Sequence, residues 1–286
     1  MALARRGTGL EATARAFLSQ VHPVFMLPPL AASLFGALLA GTVDPTRAVV
    51  HIVAMFAAVY TAHVKDGYVD FHIRGEDDDH PLTERGCRLA LALSTALFAG
   101  CCLLLYALVG WLPLALTLPT WVIAYHHAPQ LDMNPVTATT GYPLGIALSL
   151  LGGFATQTAA IAAVPLGFAL VFLVLLSGIK VIDDAQDYDY DRSIQKRTVA
   201  VLVGPARAYT LAYGLMTTAL LVVVALALVQ VFPPTAVLAA LAFAAVALVA
   251  RRATPELATM LLIRGSYVFL AVLVAAVWFE PLTGVL

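Results

Sequence analysis

Nine apolar runs, most of them long enough to cross roughly 30 Å of hydrocarbon as a helix, fill most of this 286-residue chain. They lie near residues 24–42, 47–64, 87–109, 111–126, 136–156, 160–180, 205–230, 234–250 and 259–279. A backbone inside a bilayer must satisfy its own hydrogen bonds, so runs of this kind have little choice but to be helices. Breakers mark the short joints: Gly110-Trp111 with Pro113 beyond, Asn134-Pro135, Pro233-Pro234 and Thr254-Pro255. Merging the third and fourth runs would give eight. Composition points the same way, with 61% hydrophobic and only 12% charged residues, against about 25% charged in soluble domains. A formal net charge of −1 offers no basic excess for a nucleic-acid partner. The expected fold is an all-α polytopic membrane protein: a single transmembrane domain over residues 1–286 with about nine transmembrane helices. These would enclose a central apolar chamber under a cytoplasmic polar cap.

The basic residues give an independent test of that topology. With a cytoplasmic N-terminus, inside segments hold Arg5, Arg6, Arg15, Lys65, Arg74, Arg85 and Arg88. Later ones hold Lys180, Arg192, Lys196, Arg197, Arg207, Arg251 and Arg252, with Arg264 just within the last run; only Arg47 falls outside. That bias obeys the positive-inside rule. Residues 1–23 read as an N-terminal interfacial segment with a short helix at 8–20, and the first apolar run lacks a small-residue cleavage site. Cys87, Cys101 and Cys102 show no metal-ligand spacing and read as buried, inert thiols.

Placement of the acids is the most informative feature. Of 17 carboxylates, seven lie between Asp66 and Glu84, after the second run, and five between Asp183 and Asp191, after the sixth. The corresponding segments, 65–86 and 181–204, stand four runs apart and suggest a weak internal duplication. Asp66 and Asp70, like Asp183, Asp187 and Asp191, are spaced by four, which on a helix leaving the membrane stacks them on one face. Like charges so placed repel, and a cation would offset them. Carboxylates are hard ligands suited to Mg²⁺, which takes one or two of them plus phosphate oxygens. Lys65 and Lys180 stand at the membrane edge of each segment, so two facing acidic helix ends would hold metal ions with a diphosphate between them. A solvated acidic loop, a Ca²⁺ site and a proton pathway remain as alternatives, although acids of transport pathways usually sit at mid-span, where this chain is almost uncharged.

At these residues the chain resembles the UbiA superfamily of intramembrane prenyltransferases, which has nine transmembrane helices and Asp-rich motifs after helices two and six. The likeness covers essentially the whole chain. Asp183-x3-Asp187-x3-Asp191, followed by Lys196-Arg197-Thr198, resembles the family's second motif. The first motif departs from the common Asn-x3-Asp-x3-Asp: Asp66 stands at the Asn position, Asp70 matches, and Arg74 takes the last Asp position. Glu76, Asp77 or Asp78 could supply the missing acid, and Arg74 could contact diphosphate directly. A second departure is the loop Tyr125-His126-His127-Ala128-Pro129-Gln130-Leu131-Asp132. It keeps the tyrosine that many relatives carry but lacks a residue of fixed positive charge, which favours a neutral acceptor.

The resemblance implies ionisation of an allylic prenyl diphosphate and transfer of the prenyl group to a lipophilic acceptor in the membrane. The metal ligands would be Asp66, Asp70, Glu76, Asp183, Asp187 and Asp191. The diphosphate contacts would be Lys65, Arg74, Lys180, Arg192 and Lys196. The catalytic set would be Asp66, Asp70, Asp183 and Asp187 with Tyr125; the rings of Tyr125, Tyr68 and Tyr188 could face the cation or belong to the interfacial belt. A terpene cyclase would use the same ionising acids, and a transporter of cations or phosphorylated lipids is the non-enzyme alternative. His72 and His80 read either as a base or as solvated side chains, and His126-His127 as polar loop. Arg264 reads as functional or snorkelling, and Glu280 as lying just outside the bilayer. Gly141, Gly145, Gly152 and Gly153 resemble a small-residue face for close helix packing.

Overall fold

A computed structural model describes residues 2–279; the expectation for Glu280 lies outside the described residues. Contacts divide the chain into two compact units, one ending at Ile161 and one beginning at Ala162. The first contains α1 (Gly9–Leu18), α2 (Pro23–Leu38), α3 (Pro45–Gly67), α4 (Glu84–Leu108), α5 (Trp111–His126) and α6 (Pro135–Thr158). The second contains α7 (Ala163–Gln186), α8 (Tyr188–Ser193), α9 (Val199–Val203), α10 (Pro205–Leu228), α11 (Val237–Ala250) and α12 (Pro255–Phe279). Among the described residues the only β feature is an isolated bridge between Ala4 and Leu82.

A helix lies over each of the nine apolar runs. Five of the described helices are long and apolar enough to cross a membrane alone, and α1 with α2, bent by 66°, would make a sixth if counted as one span. Length and apolarity therefore support five or six crossings, whereas the sequence suggests nine. The shortfall arises because α2 and α5 have only 16 residues each and α11 only 14, while α6, with 24 residues, is long enough but not apolar enough.

Helix starts follow local chemistry. Asp44 accepts from the Thr46 and Arg47 amides ahead of α3, and Asn134 does the same for Val136 and Thr137 ahead of α6, each followed by proline at the first helical position. Thr83 and Thr198 cap α4 and α9 through the Gly86 and Val201 amides. The break at Gly110, with φ +119°, separates α4 from α5, so the third and fourth runs do not merge.

In the first unit α2 and α6 pack with backbones in contact. A Cβ at Gly36 would lie 1.9 Å from the Leu150 carbonyl oxygen, and one at Gly153 would lie 2.1 Å from that of Ser33. Gly152 admits His51, whose Nδ1 shares a 2.6 Å hydrogen bond with Ser33. The expected glycine face is thus confined to Gly152 and Gly153. A Cβ at Gly141 meets only Ile123, at 3.8 Å, and one at Gly145 meets nothing within 4 Å. Because the obstacle is backbone, Gly153→Val is expected to destabilise the protein by roughly 1–3 kcal/mol, read as a lower melting temperature in detergent; an unchanged melting temperature would contradict the close approach. In the second unit the Phe168 ring packs against Phe172 and Phe232, and Phe243 against Phe269. The Gln186 amide donates to the Thr259 hydroxyl, tying the end of α7 to α12.

Candidate functional site

The first acidic segment grows out of α3. At Tyr68 the helix widens into a π-helical turn, Tyr68–Arg74, closed by Gly75 in the left-handed conformation (φ +67°), with the Glu76 amide bonded to the Asp70 carbonyl at 2.8 Å. Glycine there removes the Cβ penalty of that conformation. The four-residue spacing of Asp66 and Asp70 therefore bridges an α and a π geometry instead of one continuous α face. Such π insertions are frequent at functional sites.

Arg74 is the electrostatic centre of this segment. Its guanidinium makes a two-pronged contact with Asp132 (2.9 and 3.3 Å) and stands 3.5 Å from Asp70 and 3.6 Å from Glu76. All four side chains are at least four-fifths buried. The position at which the family resemblance implies an acid thus holds a base here, and the compensating acid comes from the loop after α5. Asp132 was not among the residues singled out from sequence. The signal for it was the Arg74 departure itself, since Asp132 is one of only five acids outside the two clusters.

Lys65 makes no ion pair with an acid among the described residues. Its ammonium lies 5.0 Å from the centre of the Tyr125 ring and 5.7 Å from that of Tyr68, and Tyr125 also stacks on Trp121 at 5.0 Å. The loop at Tyr125 carries no fixed cation in sequence, yet the fold brings one to it from α3. The premise that favoured a neutral acceptor is thereby removed.

His80 corrects another expectation. It is buried, not solvated, with 4% of its surface exposed, and burial holds its imidazole below the ordinary histidine range, with a Leu82 backbone hydrogen bond opposing. The N-terminal segment straps this region: the Arg5 amide bonds to the Pro81 carbonyl and the Thr83 amide to the Leu3 carbonyl, both at 2.9 Å. Arg6 pairs with Asp79 at 2.5 Å, and the Arg5 guanidinium covers the Phe71 ring at 4.2 Å.

The second acidic segment belongs to the other unit. Asp183 and Asp184 end α7, Asp187 occupies a break (φ −86°, ψ 13°), and Asp191 lies in α8. The stack expected on one helix is therefore interrupted at Asp187, although the Asp187 amide still reaches the Asp183 carbonyl (3.4 Å) and the Asp191 amide reaches the Asp187 carbonyl (2.8 Å). Asp and Tyr are modest helix formers, which suits a break in this run. Lys180 contacts Asp184 at 2.5 Å and Asp183 at 3.4 Å. Asp184 is buried, and its second oxygen has no hydrogen-bond partner among the described residues. Asp191 is 5% exposed; burial pushes its carboxyl above the usual range, with Lys196 opposing. Asp187 and Arg192 are exposed, Asp183 and Lys196 intermediate. A buried carboxylate oxygen left without a donor is what a hard cation would satisfy, so the donor set fits Mg²⁺. Asp184 is a second acid that the four-residue spacing had passed over.

Of the remaining candidates, Tyr68 donates to Glu84 at 3.2 Å, and Arg264 lies exposed on α12.

A model of the UbiA prenyltransferase family matches residues 26–259. None of the curated proteins matches. Among solved structures, one described as digeranylgeranylglyceryl phosphate synthase superposes with a TM-score of 0.75 at 13% identity, covering 93% of this chain and 97% of that one. A UbiA homologue from Archaeoglobus fulgidus bound to GPP and Mg²⁺ gives 0.68 at 16% identity, covering 93% and 99%. An apo UbiA homologue from Aeropyrum pernix K1 gives 0.67 at 17% identity, covering 89% and 98%. At these identities the structural likeness is one of fold.

Proposed function

The chain belongs to the UbiA prenyltransferase family, and on that premise we propose that it is an integral-membrane enzyme that ionises an allylic prenyl diphosphate with Mg²⁺ and passes the prenyl group to a lipophilic acceptor. The observation that carries this reading is the extent of the family match: residues 26–259 include both acidic segments, not merely the apolar helices.

In the first segment Asp66, Asp70 and Glu76 would hold metal, and in the second Asp183, Asp187 and Asp191, joined by Asp184. When bound, Mg²⁺ neutralises charge developing on the departing diphosphate oxygens. The residues of the chain do the rest. Lys180 holds Asp183 and Asp184 toward one charge, so their oxygens need little reorganisation when a ligand arrives. Lys65, Arg192 and Lys196 serve as diphosphate contacts. Arg74, engaged by three carboxylates, acts as a positioning residue for Asp70 and Glu76. The allylic C–O bond breaks with its electron pair leaving on diphosphate; the cation alkylates the acceptor, which gives up a proton. Tyr125 faces that cation. The charge bias of the sequence supports a cytoplasmic location for both acidic segments. Because Lys65 stands at Tyr125, the acceptor is proposed as lipophilic without an assignment of charge.

The test is incubation of the detergent-purified protein with Mg²⁺, prenyl diphosphates of increasing length and a lipid extract, followed by mass spectrometry. A prenylated lipid and acceptor-dependent diphosphate release are expected. EDTA should abolish release and excess Mg²⁺ restore it; indifference to EDTA would overturn the metal assignment. A cyclic hydrocarbon formed from the diphosphate alone would reassign the chain to a cyclase.

A further inference from the structure

Where the first acidic segment returns to the membrane, three side chains unused by the proposed reaction converge. His72 lies in the π-helical turn, His80 in the run that follows the acids, and Cys87 in the opening of α4. Each offers one donor atom, and these atoms lie within 4.8 Å of one another. The Leu82 carbonyl stands among them, 3.3 Å from His72 Nε2 and 3.2 Å from His80 Nδ1, while Cys87 Sγ is 3.9 Å from His80 Nδ1. Cys87 is fully buried and His80 nearly so; His72 is half-buried and gives access from outside.

The Leu82 amide also donates to His80 Nδ1 at 3.2 Å, a bond that a metal at that nitrogen would replace, and one ring atom of the trio is left unsatisfied. His80 Nε2 is buried with no partner among the described residues, although buried polar atoms are nearly always satisfied. Gly67 makes room for that ring, since a Cβ there would lie 2.6 Å from His80 Nε2. Two imidazoles and a thiol form the donor set that Zn²⁺ prefers, whereas Mg²⁺ takes hard oxygens. Tetrahedral bonds of about 2.0–2.3 Å would require the three donors to draw in modestly, and His72 sits on a π turn rather than a regular helix.

We propose that His72, His80 and Cys87 form a second metal site in this chain, selective for Zn²⁺ over Mg²⁺, with the Leu82 carbonyl or a water completing the tetrahedron. The ion would join the π turn that carries Asp70 to the first turn of α4, closing the acidic segment at its base. Binding displaces the Cys87 proton and leaves a thiolate on the metal. This site uses none of the proposed Mg²⁺ ligands and does not depend on the prenyl-transfer reading.

The experiment is Co²⁺ titration of the full chain in detergent, followed by absorption spectroscopy. A thiolate-to-cobalt charge-transfer band saturating at one equivalent is expected, because carboxylate-bound Co²⁺ gives no such band. The band should vanish in Cys87→Ser, survive in the Cys101→Ala/Cys102→Ala double variant, and require at least tenfold more Co²⁺ in His80→Gln, which keeps the thiol. Zn²⁺ should displace it, and millimolar Mg²⁺ should not. Absence of the band in the wild-type chain, or a band that follows Cys101 and Cys102, would overturn the proposal.

Discussion

Replacing Asp70 or Asp187 with alanine is expected to slow diphosphate release by about 10²–10³-fold in each case, the scale on which a transition-state charge loses one preorganised partner. Asp70 lies in the π turn, with about a fifth of its side chain exposed, and Asp187 is exposed at the break after α7. Neither supports a large apolar core, so both variants should fold and elute as the wild type does; Asp187→Ala should melt at a similar temperature, and Asp70→Ala somewhat lower because Arg74 loses one of its three acids. The loss should fall mainly on turnover and on the Mg²⁺ concentration needed for half-maximal rate. Near-normal release in either variant would remove that segment from the chemistry.

Arg74→Ala carries the second large effect, and it is one of stability. Removal of the guanidinium leaves Asp70, Glu76 and Asp132 facing one another in a largely buried setting, and taking one partner from a buried pair costs about 3 kcal/mol or more. Asp132→Asn should cost less, because Arg74 keeps its two other acids. The double variant should be less destabilised than the sum of the singles, as expected for groups in direct contact. If Arg74 instead grips diphosphate, Arg74→Ala would raise KM for the prenyl diphosphate with little change in melting temperature. Chemical denaturation of the four proteins alongside KM measurements separates the two roles.

Helix positions were legible in the sequence because bilayer thickness and backbone satisfaction allow few other outcomes, and because breakers such as Asn134-Pro135 mark the joints. The two acidic segments were legible because charge is so scarce elsewhere. Pairings made in space were not. Arg74 and Asp132 are 58 residues apart, and nothing local to either announces the other. Lys65 reaches Tyr125 only through the packing of α3 against α5, and so a loop without a basic residue acquires a cation. Four-residue spacing reads alike in an α-helix, a π turn and a broken helix, so it could not reveal the change of geometry at Tyr68 or the interruption at Asp187. His80 among acids looks solvated in sequence and is buried in the fold.

The strap formed by the first residues binds Pro81 and Thr83 through main-chain groups, which every amino acid except proline supplies in full. Such pairing is nearly blind to side-chain identity but sensitive to register. Ala2 should therefore tolerate almost any spelling and the buried Ala4 only a small one, whereas inserting or deleting a single letter there would slide Arg5 and Arg6 away from Phe71 and Asp79.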